Sequence, residues 1–259
     1  MNTGLLILSV LEGLTEFLPV SSTAHLIIVS KILQIDTAEP YIKFFLLFIQ
    51  LGALLAGIIL FSRKVLTDKK LLTNLCISFI PSAVIGFIFY KLFKLLLEGN
   101  MILLGAMLAL CGAIFIYLEK GYMKNHCGPE GFGTTEISKK DALIIGLAQA
   151  IAIIPGVSRS GATIVAGILR GIRKATIIEY TFLLALPTLG AAVAYDTFKS
   201  RDLLMHLNSF GNLISGFLLS FVTALATLYI LKKYLPKISL TGFGYYRLAL
   251  ALIVFLFVL

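Results

Sequence analysis

The chain has 259 residues, of which 59% are apolar and only 14% charged, against roughly 25% charged in an ordinary soluble domain. A mean hydropathy of +0.98 leaves too little polar surface to cover a water-soluble globule, which excludes a soluble enzyme, a disordered chain and a disulfide scaffold. The net charge of +9 does not mark a nucleic-acid partner, because the basic residues lie in short clusters between apolar runs, as in loops held on the cytoplasmic side of a membrane.

A chain of this length holds about seven or eight hydrophobic segments of ~20 residues. The first apolar run, over 4–33, carries Glu12, Glu16, Pro19, Ser21, Ser22, Thr23 and His25 in its middle. It lacks the basic start of a secretory leader, and the glutamates interrupt what would be its apolar core, so a cleaved signal peptide is not expected. Plain spans follow over 41–61, 75–97 and 101–118. A hydrophilic loop, 119–140, comes next; its His126 and Cys127 have no second ligand pair and do not read as a zinc site. The second interrupted run, over 142–169, carries Gln149, Pro155, Gly156, Ser158, Arg159, Ser160, Gly161 and Thr163. Plain spans then follow over 176–198, 211–231 and 245–259, with His206 in a connecting loop. Cys76 and Cys111, inside apolar runs, read as small core hydrophobes. Gly105, Gly112, Gly161 and Gly167 read as sites of close helix contact.

Neither interrupted run suits a lipid-facing helix, since irregular backbone at membrane depth survives only where protein buries it or a wet cavity hydrates it. Each is expected to be a re-entrant hairpin of two half-helices. An offset of 137 positions places Glu12 on Gln149, Ser21 on Ser158, Ser22 on Arg159 and Thr23 on Ser160. The expected fold is therefore an all-α polytopic membrane domain of six transmembrane helices and two re-entrant hairpins. Its halves, about 1–118 and 141–259, form an inverted-topology repeat, because a hairpin and three crossings return the second half upside down. Loop charges agree. Arg63, Lys64, Lys69, Lys70, Lys120, Lys124, Lys139, Lys140, Arg170, Arg173, Lys174, Lys232, Lys233 and Lys237 fall on one side, against Lys31, Lys43, Lys91, Lys94, Lys199 and Arg201 on the other. The richer side is expected in the cytoplasm, with both termini outside. Transporters of this architecture bind at the repeat interface near the midplane.

Glu12 and Glu16 share a helix face, being four apart, although one acid at the bilayer centre costs about 2.5–3.5 kcal/mol. They suit a cation, proton transfer or pairing with Arg159. Proline ends the first half-helix and Ser21 caps the next; Ser22 then offers a hydroxyl beside the carboxylates, with His25 about one turn further on. The second run has the composition of an anion site. Gly156 and Gly161 let backbone approach a ligand, Ser158, Ser160 and Thr163 offer hydroxyls, and Arg159 offers a planar fork for phosphate oxygens. Helix N-termini restarting at both breaks add attraction for an anion.

The stretches EGLTEFLPVSSTAH over 12–25 and PGVSRSGAT over 155–163 resemble the two signature motifs of the undecaprenyl-diphosphate phosphatase family, the bacitracin-resistance proteins of bacteria. The likeness extends over essentially the whole chain, with one departure: Ala24 stands where many members have Gly. The resemblance implies hydrolysis of undecaprenyl diphosphate to undecaprenyl phosphate and inorganic phosphate, which recycles the lipid carrier for cell-wall synthesis. It implies a divalent cation (Mg²⁺ or Ca²⁺), the bacterial cytoplasmic membrane, and a site opening to its outer side. Matched by motif, Glu12, Glu16, Ser22, His25 and Arg159 are catalytic candidates, the two glutamates also being candidate metal ligands. Ser21, Thr23, Gln149, Gly156, Ser158, Ser160, Gly161 and Thr163 are candidates for binding substrate. Ser22 is the first choice of nucleophile, with His25 or Glu16 as base; attack by His25 or activated water stays open. A homodimer is compatible with this reading. The rival function, from the repeat alone, is a polyprenyl-phosphate lipid transporter or flippase.

Overall fold

The computed structural model describes residues 3–89, 100–124, 133–199, 210–234 and 239–258. Lys91, Lys94, His126, Cys127, Arg201, His206 and Lys237 lie outside them. Among the described residues every regular element is a helix, and the single isolated bridge pairs Thr134 with Ile172. Ten helices follow in order: α1 (Thr3–Thr15), α2 (Ser22–Ile32), α3 (Pro40–Thr67), α4 (Lys69–Ile88), α5 (Met101–Tyr117), α6 (Lys139–Ile151), α7 (Arg159–Leu169), α8 (Lys174–Lys199), α9 (Phe210–Tyr234) and α10 (Leu240–Ile253). Wider-wound π turns prolong α5 through Leu118–Met123 and α10 through Val254–Val258.

Local chemistry sets the boundaries. Pro40 opens α3, where its missing N–H costs nothing. Asp68 alone links α3 to α4, and its carboxylate accepts from the Leu71 amide. Ser138 and Asp141 form a reciprocal capping box at the start of α6. Ser239 caps α10 by accepting from the Gly242 amide, so this helix begins five residues before the expected start at 245. α4 likewise starts at Lys69 rather than 75, and α3 runs on to Thr67 rather than stopping at 61. In both cases charged residues continue the helix beyond the apolar run that hydropathy detects.

Six helices are long and apolar enough to cross a membrane: α3, α4, α5 with its extension, α8, α9 and α10 with its extension. They correspond to the six expected spans, and the chain is a multi-pass membrane protein. In contrast α1, α2, α6 and α7 have 13, 11, 13 and 11 residues, which at 1.5 Å per residue cover roughly half of a ~30 Å hydrocarbon core.

α3 packs on α9 and α8, α1 on α9, α4 on α6 and α8, α7 on α6 and α8, and α5 on α10. Polar seams reinforce this packing: Asn74 donates to the Ile137 carbonyl and Ser78 to the Ala142 carbonyl, joining α4 to α6 and the segment before it. Ion pairs near the ends of helices tie these segments together: Lys64 to Glu179, Lys70 to Glu136, Arg170 to Asp141 and Lys174 to Glu119. These are the segments whose basic residues the charge pattern assigned to a single side. The cysteines correct the sequence reading: Cys76 is exposed and Cys111 only half-buried, so neither is a core residue.

All four glycines expected at helix contacts have neighbours within 3.2 Å of where a Cβ would stand. The tightest pairing across α5 and α10 is reciprocal. A Cβ on Gly112 would meet the Gly244 carbonyl at 2.8 Å, and one on Gly244 would meet the Gly112 carbonyl at 2.7 Å. Because both obstacles are backbone, no side chain can rotate away. Gly112→Leu is expected to separate the two helices, at about 1–3 kcal/mol or more; a lowered Tm of the detergent-purified protein checks this, whereas Gly211→Leu, with open space around it, should leave Tm unchanged.

Candidate functional site

The site is built at the two places where helix is interrupted. In the first, Ser21 adopts φ 71°, a left-handed conformation rare outside glycine, and its hydroxyl caps α2 by accepting from the Ala24 amide. In the second, Ile154-Pro155-Gly156-Val157 forms a type II turn, with the Val157 amide donating to the Ile154 carbonyl. Proline presets the first corner, and Gly156 at φ 87° supplies the positive φ of the second. A Cβ on Gly156 would lie 2.6 Å from the Leu104 carbonyl. Ser158 then caps α7 by accepting from the Gly161 amide.

The first turns of α2 and α7 line one cavity of ≈ 560 Å³. Its polar floor holds Glu16, Ser21, Ser22, Thr23, Gln149, Ser158, Arg159 and Ser160. Two helix N-termini with unspent amide donors face the same space, a setting that favours an anion. Arg159 Nη2 donates to Glu16 Oε1 at 3.0 Å, and Ser22 Oγ donates to Glu16 Oε2 at 2.5 Å. Glu16 is buried, with its side chain 7% exposed, and Arg159 is mostly covered, at 17%. Ser160 Oγ bonds Ser158 Oγ and the Leu18 carbonyl, so the second break is tied to the first. Gln149 donates to Ser82 and Thr188, which fixes the far wall.

The chain matches the family model described as "Bacitracin resistance protein BacA" over residues 5–253. It belongs to that family. It is 39% identical over 254 residues to the undecaprenyl-diphosphatase of Campylobacter hominis, covering 98% of this chain and 97% of the relative. It is 40% identical over 250 residues to that of Sulfurihydrogenibium sp. (96% of each) and 39% identical over 247 residues to that of Aquifex aeolicus (95% and 94%).

Not every BacA motif residue reaches the cavity wall. Glu12 is fully buried one turn behind Glu16, and neither of its carboxylate oxygens has a hydrogen-bond donor. His25 is buried too: its Nδ1–H donates to the Ser21 carbonyl at 2.7 Å, which in the neutral ring leaves Nε2 to accept from Tyr246 Oη at 2.6 Å. Thr163 bonds Thr181 and the turn beneath it. Gly156 and Gly161 act by leaving room, Gly161 for Phe115 and Arg247 at 3.2 and 3.3 Å from its would-be Cβ. No group of three or more His, Cys, Asp or Glu that could hold a metal occurs among the described residues.

The sequence reading missed Arg247, which is fully buried in α10 and reaches both breaks. Its signal was present: a cation inside an apolar span that belongs to neither loop tally. Gln50, Ser82 and Thr188, which complete the polar wall, sit singly in spans with no pattern to mark them. The Arg159–Glu16 pair itself is open to a double-mutant cycle. Arg159→Ala leaves a buried carboxylate without its partner and should lower Tm more than Arg159→Ala/Glu16→Gln does, with a coupling of about 1–3 kcal/mol.

Proposed function

We propose that this chain removes the terminal phosphate of undecaprenyl diphosphate, yielding undecaprenyl phosphate and inorganic phosphate. The observation that carries the reading is the linked set Ser22–Glu16–Arg159 on the polar side of a cavity whose other side is apolar. It has the form of an activated nucleophile: hydroxyl, base in hydrogen-bond contact, and a third group orienting the base. His25 is a weaker base, because both of its ring nitrogens are engaged away from the cavity.

In the first step Ser22 Oγ attacks the terminal phosphorus. Its proton passes to Glu16 Oε2, and the P–O bond to undecaprenyl phosphate breaks. Water then attacks the phosphoserine, Ser22 recovers its proton from Glu16, and inorganic phosphate leaves. Arg159, the hydroxyls of Thr23, Ser158 and Ser160, and the two helix N-termini hold the phosphate oxygens and neutralise charge as it spreads over them.

Glu12 and Glu16 are hard oxygen donors of the kind Mg²⁺ and Ca²⁺ take. The unsatisfied, buried carboxylate of Glu12 fits a role in holding such an ion. Two carboxylates are too few for an all-protein site, so the remaining ligands would be phosphate oxygens and water, the usual arrangement for Mg²⁺. Bound there, a divalent cation supplies Lewis-acid neutralisation of the diphosphate.

The α1–α2 and α6–α7 pairs are re-entrant hairpins in an inverted repeat of halves 1–118 and 141–259. Three things support this: all four helices are half the length of a span, Arg170 at the end of α7 bonds Asp141 at the start of α6, and the packing is paired. Under the 137-residue offset the contacts of α1 with α9, α3 with α9 and α1 with α2 have counterparts in α6 with α4, α8 with α4 and α6 with α7. The isoprenoid tail leaves laterally between α4 and α8, where the cavity wall turns apolar through Ala83, Gly86, Ala191 and Ala192 and ends at the exposed rings of Phe87 and Tyr195. The protein sits in the cytoplasmic membrane with both termini outside and the cavity opening outward.

Phosphate release from undecaprenyl diphosphate by purified protein tests this. Arg159→Ala and Glu16→Ala should each reduce it by at least about 100-fold, EDTA should abolish it, and Mg²⁺ or Ca²⁺ should restore it. Lipid movement without phosphate release would overturn the hydrolase reading in favour of transport. Rapid quenching with ³²P-labelled substrate should place label on Ser22; label on another residue rejects Ser22 as nucleophile. For orientation, alkaline phosphatase fused after residue 259 should be active in cells and a fluorescent protein fused there dark.

A further inference from the structure

Arg247 occupies a peculiar place. It is fully buried, Nη1 donates to the Pro19 carbonyl at 3.0 Å, and Nη2 donates to the Gly156 carbonyl. Pro19 and Gly156 are separated by 137 positions, the same offset that superposes Glu12 on Gln149 and Ser21 on Ser158. One planar fork thus grips the same backbone position in both breaks at once. Phe115 lies under the guanidinium at 5.6 Å, and Gly161 leaves the space it fills. The reciprocal Gly112–Gly244 contact brings α10 close enough to deliver it.

The preceding residue works on the same turn. Tyr246 Oη meets His25 Nε2, whose opposite nitrogen donates to the carbonyl of Ser21. Ser21 is the left-handed residue immediately before Ser22. Two adjacent residues of α10 therefore fix the backbone on both sides of Val20: Arg247 holds the Pro19 carbonyl, and Tyr246, through His25, holds the Ser21 carbonyl.

We infer that Tyr246 and Arg247 are positioning residues, a strut on α10 that keeps the two breaks in register so that Ser22 stays against Glu16 and Arg159 stays across from it. Neither side chain lines the cavity wall, so the strut acts through backbone and touches no substrate. Buried carbonyls at a helix break need donors, but two separate donors would satisfy them equally well. A single rigid fork adds a fixed distance between the turns. Lysine, a point charge on a flexible stem, supplies no such span. A misplacement of about 1 Å from outside the reacting groups can cost 100-fold in rate.

The inference rests on the hydrolase reading for its kinetic arm only. Arg247→Lys should lower kcat for undecaprenyl diphosphate by about 30-fold with KM within threefold of wild type, and Tyr246→Phe should lower kcat by about fivefold in the same way. Unchanged kcat in the folded variants, or a loss confined to KM, overturns the strut. The second arm needs no activity: hydrogen exchange followed by mass spectrometry on detergent-purified wild type and Arg247→Lys. Exchange should accelerate at both breaks, residues 16–21 and 152–158, while α3 and α9 stay protected. Acceleration at one break only, at neither, or throughout the bundle overturns the inference. A wild type that releases no phosphate, together with accelerated exchange at both breaks in Arg247→Lys, would sink the hydrolase reading and leave the strut standing.

Discussion

A helix interrupted inside a packed bundle leaves buried carbonyl and amide groups, and each must find a partner within the protein. That constraint organises the whole molecule. The Pro19 and Gly156 carbonyls take Arg247, the Ser21 carbonyl takes His25, and the Leu18 carbonyl takes Ser160. Serine caps supply the acceptors that the restarting helices need. Once these groups are satisfied, the two new N-termini are held at one cavity, and that space is already suited to an anion before any side chain is counted.

The charged pair in that space follows a different logic. A buried ion pair is weak evidence for stability, since removing two charges from water costs about what their attraction returns. In the proposed reaction its value is chemical. Glu16 holds both Arg159 and Ser22, one on each oxygen, so the acid cannot rotate to another partner without losing one. The arrangement keeps a hydroxyl, a carboxylate and a guanidinium within hydrogen-bond reach of one another at the cavity wall.

Much of this was legible in the sequence. Hydropathy found all six spans, and the two polar interruptions stood out because Glu12, Glu16 and Arg159 are expensive in lipid and so had to have reasons. The Ser21 cap followed from proline placement, whereas Ser158 was read as a hydroxyl for an anion and its capping bond shows only in the fold. What escaped was long-range and singular. Arg247 lies 228 positions from Pro19, and nothing in its own run shows which carbonyls it will meet. His25 was readable as important, but only the fold separates a histidine that faces the cavity from one that braces a turn behind it. Ends of helices were misplaced wherever capped, charged residues carried the helix past the apolar run.

The acids at the first break, Glu12 and Glu16, come from the first half of the sequence, whereas Arg159 and Arg247 both come from the second. At the matching offset the second half carries Gln149 in place of Glu12. Two copies of the first half, assembled head to tail, would set carboxylate against carboxylate with no cation between them; two copies of the second would bury guanidiniums with no acid to meet them. If the halves descend from one ancestral unit, that unit lost the ability to pair with itself as each half specialised in one sign of charge. Fusion into a single polypeptide then guarantees the one combination that neutralises itself.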